Sequence, residues 1–231
     1  MSSPQPRIGV VQFPGSNDDR DALWALAALD AEAILVWHGE TELPDLDAVV
    51  LPGGFSYGDY LRCGAIARFS PAMAAVAEFA AAGGLVLGIC NGFQILCEAG
   101  LLPGVLRPNE SLSFICRDVP VRVERADTPF TTRCEPDQQL MIPVKHGEGC
   151  WYADEDLYAE LEARDQIVLR YAESVNGSLH DLAGVANDQG NVMGLMPHPE
   201  HAVDPLLGSA DGALILASLV DAARERALAA V

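Results

Sequence analysis

Three residues have types and spacing that could do nucleophilic chemistry: Cys90, His198 and Glu200. Cys90 lies in Gly88-Ile-Cys-Asn-Gly92, directly after the apolar run Leu85-Val-Leu and before Phe93-Gln-Ile-Leu-Cys-Glu-Ala99. The apolar run has the pattern of a strand buried on both faces. The segment after the turn has the pattern of a helix stopped by Gly100. A glycine two residues before and two after a nucleophile marks a sharp strand-to-helix elbow. The glycines are needed because the turn brings positions 88 and 92 together, and side chains there would collide. The elbow would lift the Cys90 sulfur out at the carboxyl end of a sheet. There the amides of a helix N-terminus favour the thiolate over the thiol. A bare G-x-C-x-G is also compatible with a buried structural cysteine.

Met196-Pro-His-Pro-Glu200 follows another strand-like run. In an extended backbone, side chains two apart share a face. Prolines 197 and 199 restrict two φ angles and are expected to hold that extended geometry. Glu200 could then accept a hydrogen bond from His198 and leave the other ring nitrogen for Cys90. The result is a Cys-His-Glu triad whose acid lies close in sequence to its base. On its own the segment could equally be a proline-rich loop with a surface histidine.

Acyl transfer to a cysteine also needs donors for a developing oxyanion. The backbone N–H of Asn91, next to the nucleophile, is one candidate. The amide of Gly54, in the strand-end pair Gly53-Gly54, is expected to be the other, since glycine permits close backbone approach. The loop Gly53-Gly-Phe-Ser-Tyr-Gly58 lacks both the G-K-[ST] of a P-loop and the G-x-G-x-x-G spacing of a dinucleotide site. No metal site is expected. His198 and His201 are three apart, but the prolines argue against a helix that would align them.

The elements that must position these residues alternate along the chain. Arg7–Phe13 reads as a first strand. Asn17-Asp-Asp19 follows as the cap and acidic first turn of a helix through about Asp30, with Leu23, Leu26 and Ala27 facing inward. Ala33–Trp37 and Asp47–Leu51 read as strands, and Pro71 opens a helix to about Ala82. Strands alternating with helices predict a doubly wound, mostly parallel α/β sheet of flavodoxin-like type. Such sheets bind ligands at the carboxyl ends of their strands. Val119–Glu124, Leu140–Val144 and Ile167–Tyr171 read as strands joined by loops, an antiparallel elaboration. Gly184–Ala186 and Val192–Met196 read as a hairpin, and a last helix is capped by Ser209 with Leu216, Leu219, Val220 and Ala223 on one face. Without repeats or linkers, residues 1–231 are expected to form one domain.

The chain has 231 residues, half of them hydrophobic, and a net charge of −19. That charge argues against a nucleic-acid partner, which would need a basic face. The richest apolar run, Ala72–Cys90, is broken by Glu78 and Gly83-Gly84, so no membrane span is expected. Met1–Arg7 has no basic region followed by an apolar one, so no signal peptide is expected. Six scattered cysteines without a regular framework fit a reduced, cytoplasmic protein.

Gly88–Gln94 together with Pro197-His-Pro-Glu200 resembles the class I glutamine amidotransferases. Pro52–Ala67, Asn109–Cys116 and His146-Gly-Glu-Gly149 narrow the likeness to the glutaminase subunits of phosphoribosylformylglycinamidine synthase, from about Ile8 to the final helix. The resemblance implies that Cys90 attacks the side-chain amide of L-glutamine, with His198 as base and acid and Glu200 as its orienter. It implies that Gln94, His146, Gly147 and Glu148 hold the substrate's amino-acid end. Ammonia would pass to a separate ATP-dependent synthetase subunit, with a small third subunit bridging the two. ATP and Mg would belong to that partner, leaving this chain without a cofactor. Three departures from the family's pattern stand out: His201 stands where arginine is usual, Cys150-Trp151 where a basic residue is common, and Cys63 where alanine is usual. A stand-alone cysteine hydrolase of similar fold, such as a γ-glutamyl hydrolase, and a catalytically silent regulatory subunit are the rival expectations.

Overall fold

A computed structural model describes residues 5–229. Part of the N-terminal segment in which no signal peptide is expected lies outside the described residues. The elements are β1 (Arg7–Gln12), α1 (Asp19–Ala28), β2 (Glu32–Trp37), β3 (Ala48–Leu51), α2 (Pro71–Ala81), β4 (Leu85–Ile89), α3 (Asn91–Glu98) and β5 (Val105–Arg107). They continue with β6 (Ile115–Val123), β7 (Gln139–His146), β8 (Cys150–Tyr152), α4 (Glu155–Ala163), β9 (Ile167–Tyr171), β10 (Leu182–Ala186), β11 (Val192–Leu195) and α5 (Gly212–Ala229).

Nine strands form one sheet in the order β2-β1-β3-β4-β11-β10-β9-β6-β7. From β2 to β11 the neighbours run parallel; from β11 to β7 they run antiparallel. The first five strands follow the flavodoxin-like order, with its reversal at β1 and β3. The right-handed crossover rule sends the chain to opposite faces on either side of such a reversal. On one face α1 and α5 pack together on β1; α3 packs on β3, β4 and β11. Every residue of β3, β4 and β11 is buried, which explains their unbroken apolar sequences. The antiparallel half continues the same sheet rather than forming a separate layer. It reads as alternating because one face is partly open, as in the pattern of β7.

Several details correct the expectations from sequence. Helix α1 starts at Asp19, but the Asp18 side chain makes no cap hydrogen bond. Its inner face is Ala22, Ala25 and Leu26, whereas Ala27 is exposed and Leu23 is only half-buried. The Ser209 hydroxyl accepts from the Asp211 N–H and closes the turn before α5, which begins at Gly212, so it does not cap the helix. The expected inner face of α5 is buried. Helix α4 falls in a stretch that the sequence pattern assigns to loop. Its signals are nonetheless present: Asp154 caps it by accepting from the Leu157 N–H, and Glu155 and Asp156 follow in the first turn.

The elbow geometry depends on two close approaches. A Cβ on Gly88 would stand 2.8 Å from the Gly92 carbonyl, and a Cβ on Gly92 would fall on the carbonyl oxygen of Leu51 at the end of β3. Replacing Gly92 by Ala is therefore expected to lower stability by about 1–3 kcal/mol, the cost of forcing a methyl into a packed interior. A drop in the urea-unfolding midpoint, at unchanged m-value, checks this.

Candidate active site

Four adjacent parallel strands deliver the site. The loops after β1, β3, β4 and β11 carry Asp18, Gly53-Gly54, Cys90 and His198, each at the carboxyl end of its strand. Cys90 sits between β4 and α3 with φ 49° and ψ −104°, a strained conformation for a residue with a side chain. The Cys90 N–H is held by the Leu195 carbonyl of β11, and its sulfur lies 3.9 Å from the Lys145 carbonyl and near enough to His198 to act on the charge of its ring. Behind His198, the Nδ1–H donates to Glu200 Oε1 at 2.6 Å. That leaves Nε2 without a partner among the described residues.

The backbone route to this pairing differs from the extended one expected. Pro199–His201 forms a single 3₁₀ turn. The restricted φ of Pro199 suits the start of a helical turn as well as a strand. The His198 N–H is tied to the Pro143 carbonyl of β7. His198 and Glu200 are both buried. Burial alone would push the imidazole toward neutrality, but Glu200 and then Cys90 outweigh it and raise the His198 pKa to about 10. The pair is poised as imidazolium beside carboxylate.

Asp18 is the residue that the sequence did not assign to the site. Its buried carboxylate meets Lys145 Nζ and, at 3.1 Å, His201 Nε2, while Oδ2 is 3.7 Å from His198 Nδ1. Burial opposes its charge, but His201, His198 and Lys145 together hold its pKa well below the usual carboxylate range. Asp18 is held there by backbone lacing, in which the N–H groups of Asn17 and Asp18 both donate to the Gly53 carbonyl. Gly53 is bare because a Cβ there would meet Asp18 Oδ2 and the His198 ring. Asp18, His198, Glu200 and His201 crowd their side-chain donor and acceptor atoms within 4.8 Å of one another. The Lys145 ammonium already takes the place of a cation at the Asp18 oxygen.

In front of Cys90 lies a pocket of about 260 Å³, below the ~300–1,000 Å³ typical of drug-sized ligands, so it suits one small molecule. Gly54 lines it with φ 145°, a conformation that side chains rarely adopt. Among the described residues, neither the Gly54 nor the Asn91 N–H is taken by an acceptor within the chain. Gln94 lines the pocket but is committed at both ends: its Oε1 accepts from Asn91 Nδ2 at 2.8 Å, and its Nε2 donates to the Glu148 carbonyl at 2.6 Å. Asn91 Oδ1 in turn accepts from the Ser56 N–H of the glycine loop. The His146 ring is turned to Asn109 Oδ1 at 3.0 Å, and burial lowers its pKa to about 4. Gly147 and Glu148 therefore ride on a loop fastened by Gln94 and Asn109.

The Glu148 and Asp59 carboxylates both stand close enough to the Cys63 thiol to act on its charge. Burial first, then these two carboxylates, push the Cys63 thiol far up, so it is no second nucleophile. Burial also pushes Cys97 up and raises Cys134 to about 11. Among the described residues, Asp59 Oδ1 is buried without a partner. Among the departures from the family pattern, His201 joins the cluster behind the triad. Cys150 instead points to the Gly177 carbonyl at 3.0 Å, and Trp151 is buried, donating to the Pro103 carbonyl at 3.1 Å. Neither lines the pocket.

Residues 5–211 match the family model described as the CobB/CobQ-like glutamine amidotransferase domain, and the chain belongs to that family. It is 58% identical over 225 residues to the phosphoribosylformylglycinamidine synthase subunit PurQ of Salinibacter ruber, covering 93% of this chain and 96% of that one. The same-named subunit of Rubrobacter xylanophilus is 57% identical over 218 residues, covering 94% and 99%. Among solved structures, PurLQS from Thermotoga maritima contains a chain with TM-score 0.88 and 46% identity, covering 94% of this chain and 99% of that one. A putative GMP synthase subunit from Thermoplasma acidophilum, 16% identical with TM-score 0.67 and covering 98% of each chain, shares the fold. No helix among the described residues is long and apolar enough to cross a membrane.

The raised His198 pKa carries a stability signature. A group whose folded pKa lies above its unfolded value stabilises the fold fully below the unfolded value, near ~6.5, and loses that contribution as pH rises through the folded value. The stability difference between the wild-type chain and a His198→Gln variant is therefore expected to be largest below about pH 6.5 and to shrink toward about pH 10. Urea unfolding of both proteins across that range checks it.

Proposed function

We propose that this chain is the glutaminase subunit of a phosphoribosylformylglycinamidine synthase. It hydrolyses L-glutamine and hands the ammonia to an ATP-dependent synthetase subunit. That partner converts formylglycinamide ribonucleotide to formylglycinamidine ribonucleotide in de novo purine biosynthesis. The observation that carries the chemistry is the buried His198 ring beside Cys90, its Nδ1 held by Glu200 Oε1 and its Nε2 left without a partner among the described residues. The likeness to PurQ subunits along nearly the whole chain supports the pathway. The likeness to a chain of the Thermotoga maritima PurLQS structure supports a synthetase partner and a small bridging subunit. The chain acts as one amidotransferase domain in the cytoplasm and needs no cofactor of its own, since ATP and Mg serve the partner.

The mechanism follows from the placement. The Cys90 thiolate attacks the side-chain carbonyl carbon of glutamine, and the Gly54 and Asn91 N–H groups receive the oxyanion. His198 gives its Nε2 proton to the amide nitrogen, the C–N bond breaks, ammonia leaves, and a glutamyl thioester remains. His198 then takes a proton from water, whose oxygen attacks the thioester. The C–S bond breaks, and glutamate and the thiolate are released. Glu200 holds the ring in the tautomer that presents Nε2 to the sulfur and stabilises the imidazolium. Glu148, with Asp59 beside it, receives the substrate's ammonium; Gln94 and His146 hold their loop in place.

Three outcomes are expected in the assembled complex. Cys90→Ala abolishes glutamine-dependent turnover while free ammonia still supports synthesis, read as product formed from either donor. His198→Ala lowers glutamine-dependent kcat on the order of a hundred-fold or more, and turnover by that variant close to wild type would refute the role of His198 as base. Glu148→Gln raises KM for glutamine by about ten-fold or more, as expected for loss of a charged hydrogen bond. For the nucleophile itself, a chloroketone analogue of glutamine is expected to label Cys90 alone, even though Cys116 is exposed. Peptide mapping that finds the label elsewhere refutes the assignment.

A further inference from the structure

His198 faces more charge than a triad requires. Its Nδ1 meets Glu200 at hydrogen-bond distance, and Asp18 Oδ2 stands at 3.7 Å on the same side. At that separation Asp18 makes no hydrogen bond to the ring and acts through its field, which a buried setting screens little. Two anionic carboxylates on one imidazole, with nothing to offset them, would trap it as imidazolium. It could then neither hand its proton to departing ammonia nor recover one from water. The chain supplies the offset from a distant strand, with Lys145 of β7 placing its ammonium on Asp18 Oδ1 and 2.8 Å from His201 Nε2.

We propose that Asp18 and Lys145 are positioning residues forming a compensated pair that sets the proton affinity of His198. Asp18 strengthens the hold on the imidazolium and Lys145 limits it. The proposal rests on the reading of His198 as the base of glutamine hydrolysis. It goes beyond that reading by adding two residues outside the triad. Three features argue against an ion pair that merely ties two loops together. Asp18 precedes α1 yet leaves the helix amides uncapped. Its carboxylate is buried against the triad histidine rather than at the surface. And a bare glycine, Gly53, makes the room for both Asp18 and the His198 ring.

The test must account for every group that faces His198. These are Cys90 from the β4–α3 turn, Glu200 and His201 from its own turn, Asp18 from the loop after β1, and Lys145 and His146 from β7. Replacing Cys90 by Ser removes the ionisable sulfur from this set. In that background, histidine-labelled full-length chain is titrated by NMR, with the His38 and His180 signals as controls for folding. Asp18→Asn is expected to lower the His198 midpoint by about one pH unit, and Lys145→Met to raise it by about half a unit. The double variant is expected to fall between the two single variants. If Lys145→Met does not fold, Lys145→Gln, which keeps a donor on Asp18, is expected to shift the midpoint in the same direction. Midpoints that all coincide, or that move the same way in both single variants, overturn the proposal and leave a structural ion pair. Failure of the wild-type chain to release ammonia from glutamine in its complex would instead overturn the function while leaving these midpoints readable.

Discussion

The structure depends on a steric constraint at a single peptide turn. For Cys90 to present its sulfur, the chain must reverse from β4 into α3 within one residue, and that residue takes φ 49°. Such a conformation costs of the order of 1–3 kcal/mol and persists because its surroundings enforce it. Gly88 and Gly92 let the two arms of the turn touch, and the Cys90 N–H is anchored to β11. The anchoring strand is also the one whose end carries His198. The hydrogen bond that fixes the nucleophile thus fixes its distance to the base.

Around that turn the protein concentrates charge where water is excluded. Glu200, His198 and Asp18 are all buried, and each is stabilised by the others or by Lys145 and His201. Burial opposes the charged form of both His198 and Asp18, and in both cases the opposite charges win. A cluster of this kind contributes little net stability compared with an apolar core of the same volume. Its value lies in preorganisation, because dipoles and charges already in place need no rearrangement when charge moves during reaction.

The pocket is assembled from side chains that hold backbone rather than ligand. Asn91 reaches from the first turn of α3 to the glycine loop and to Gln94, and Gln94 reaches on to the loop bearing Glu148. One helix N-terminus therefore aligns both walls of the pocket with the nucleophile it begins beside. The acidic pair Asp59 and Glu148 flanks the Cys63 thiol, and Asp59 Oδ1 is buried without a partner among the described residues, an arrangement that a cationic group would complete.

The elbow, the Pro-His-Pro-Glu segment, the parallel strands and the helices on them are legible because each is specified by neighbours in the chain. Gly88 and Gly92 flank Cys90, His198 and Glu200 are two apart, and buried strands are continuous apolar runs. Even α4 has its cap and acidic first turn written locally, although its weak apolar pattern reads as loop. Asp18 escapes a sequence reading for the opposite reason. By sequence it is an ordinary helix cap, and its partners lie 127 and 183 residues away. For Gln94 and His146 the sequence gives the position, while their protein partners, the Glu148 carbonyl and Asn109, lie across loops and are set by the fold. The sequence by itself determined which atoms could react and which turns would present them. Tertiary structure alone decided which charges surround them, because the field at a buried histidine comes from whatever distant strands and loops the fold brings within a few ångströms.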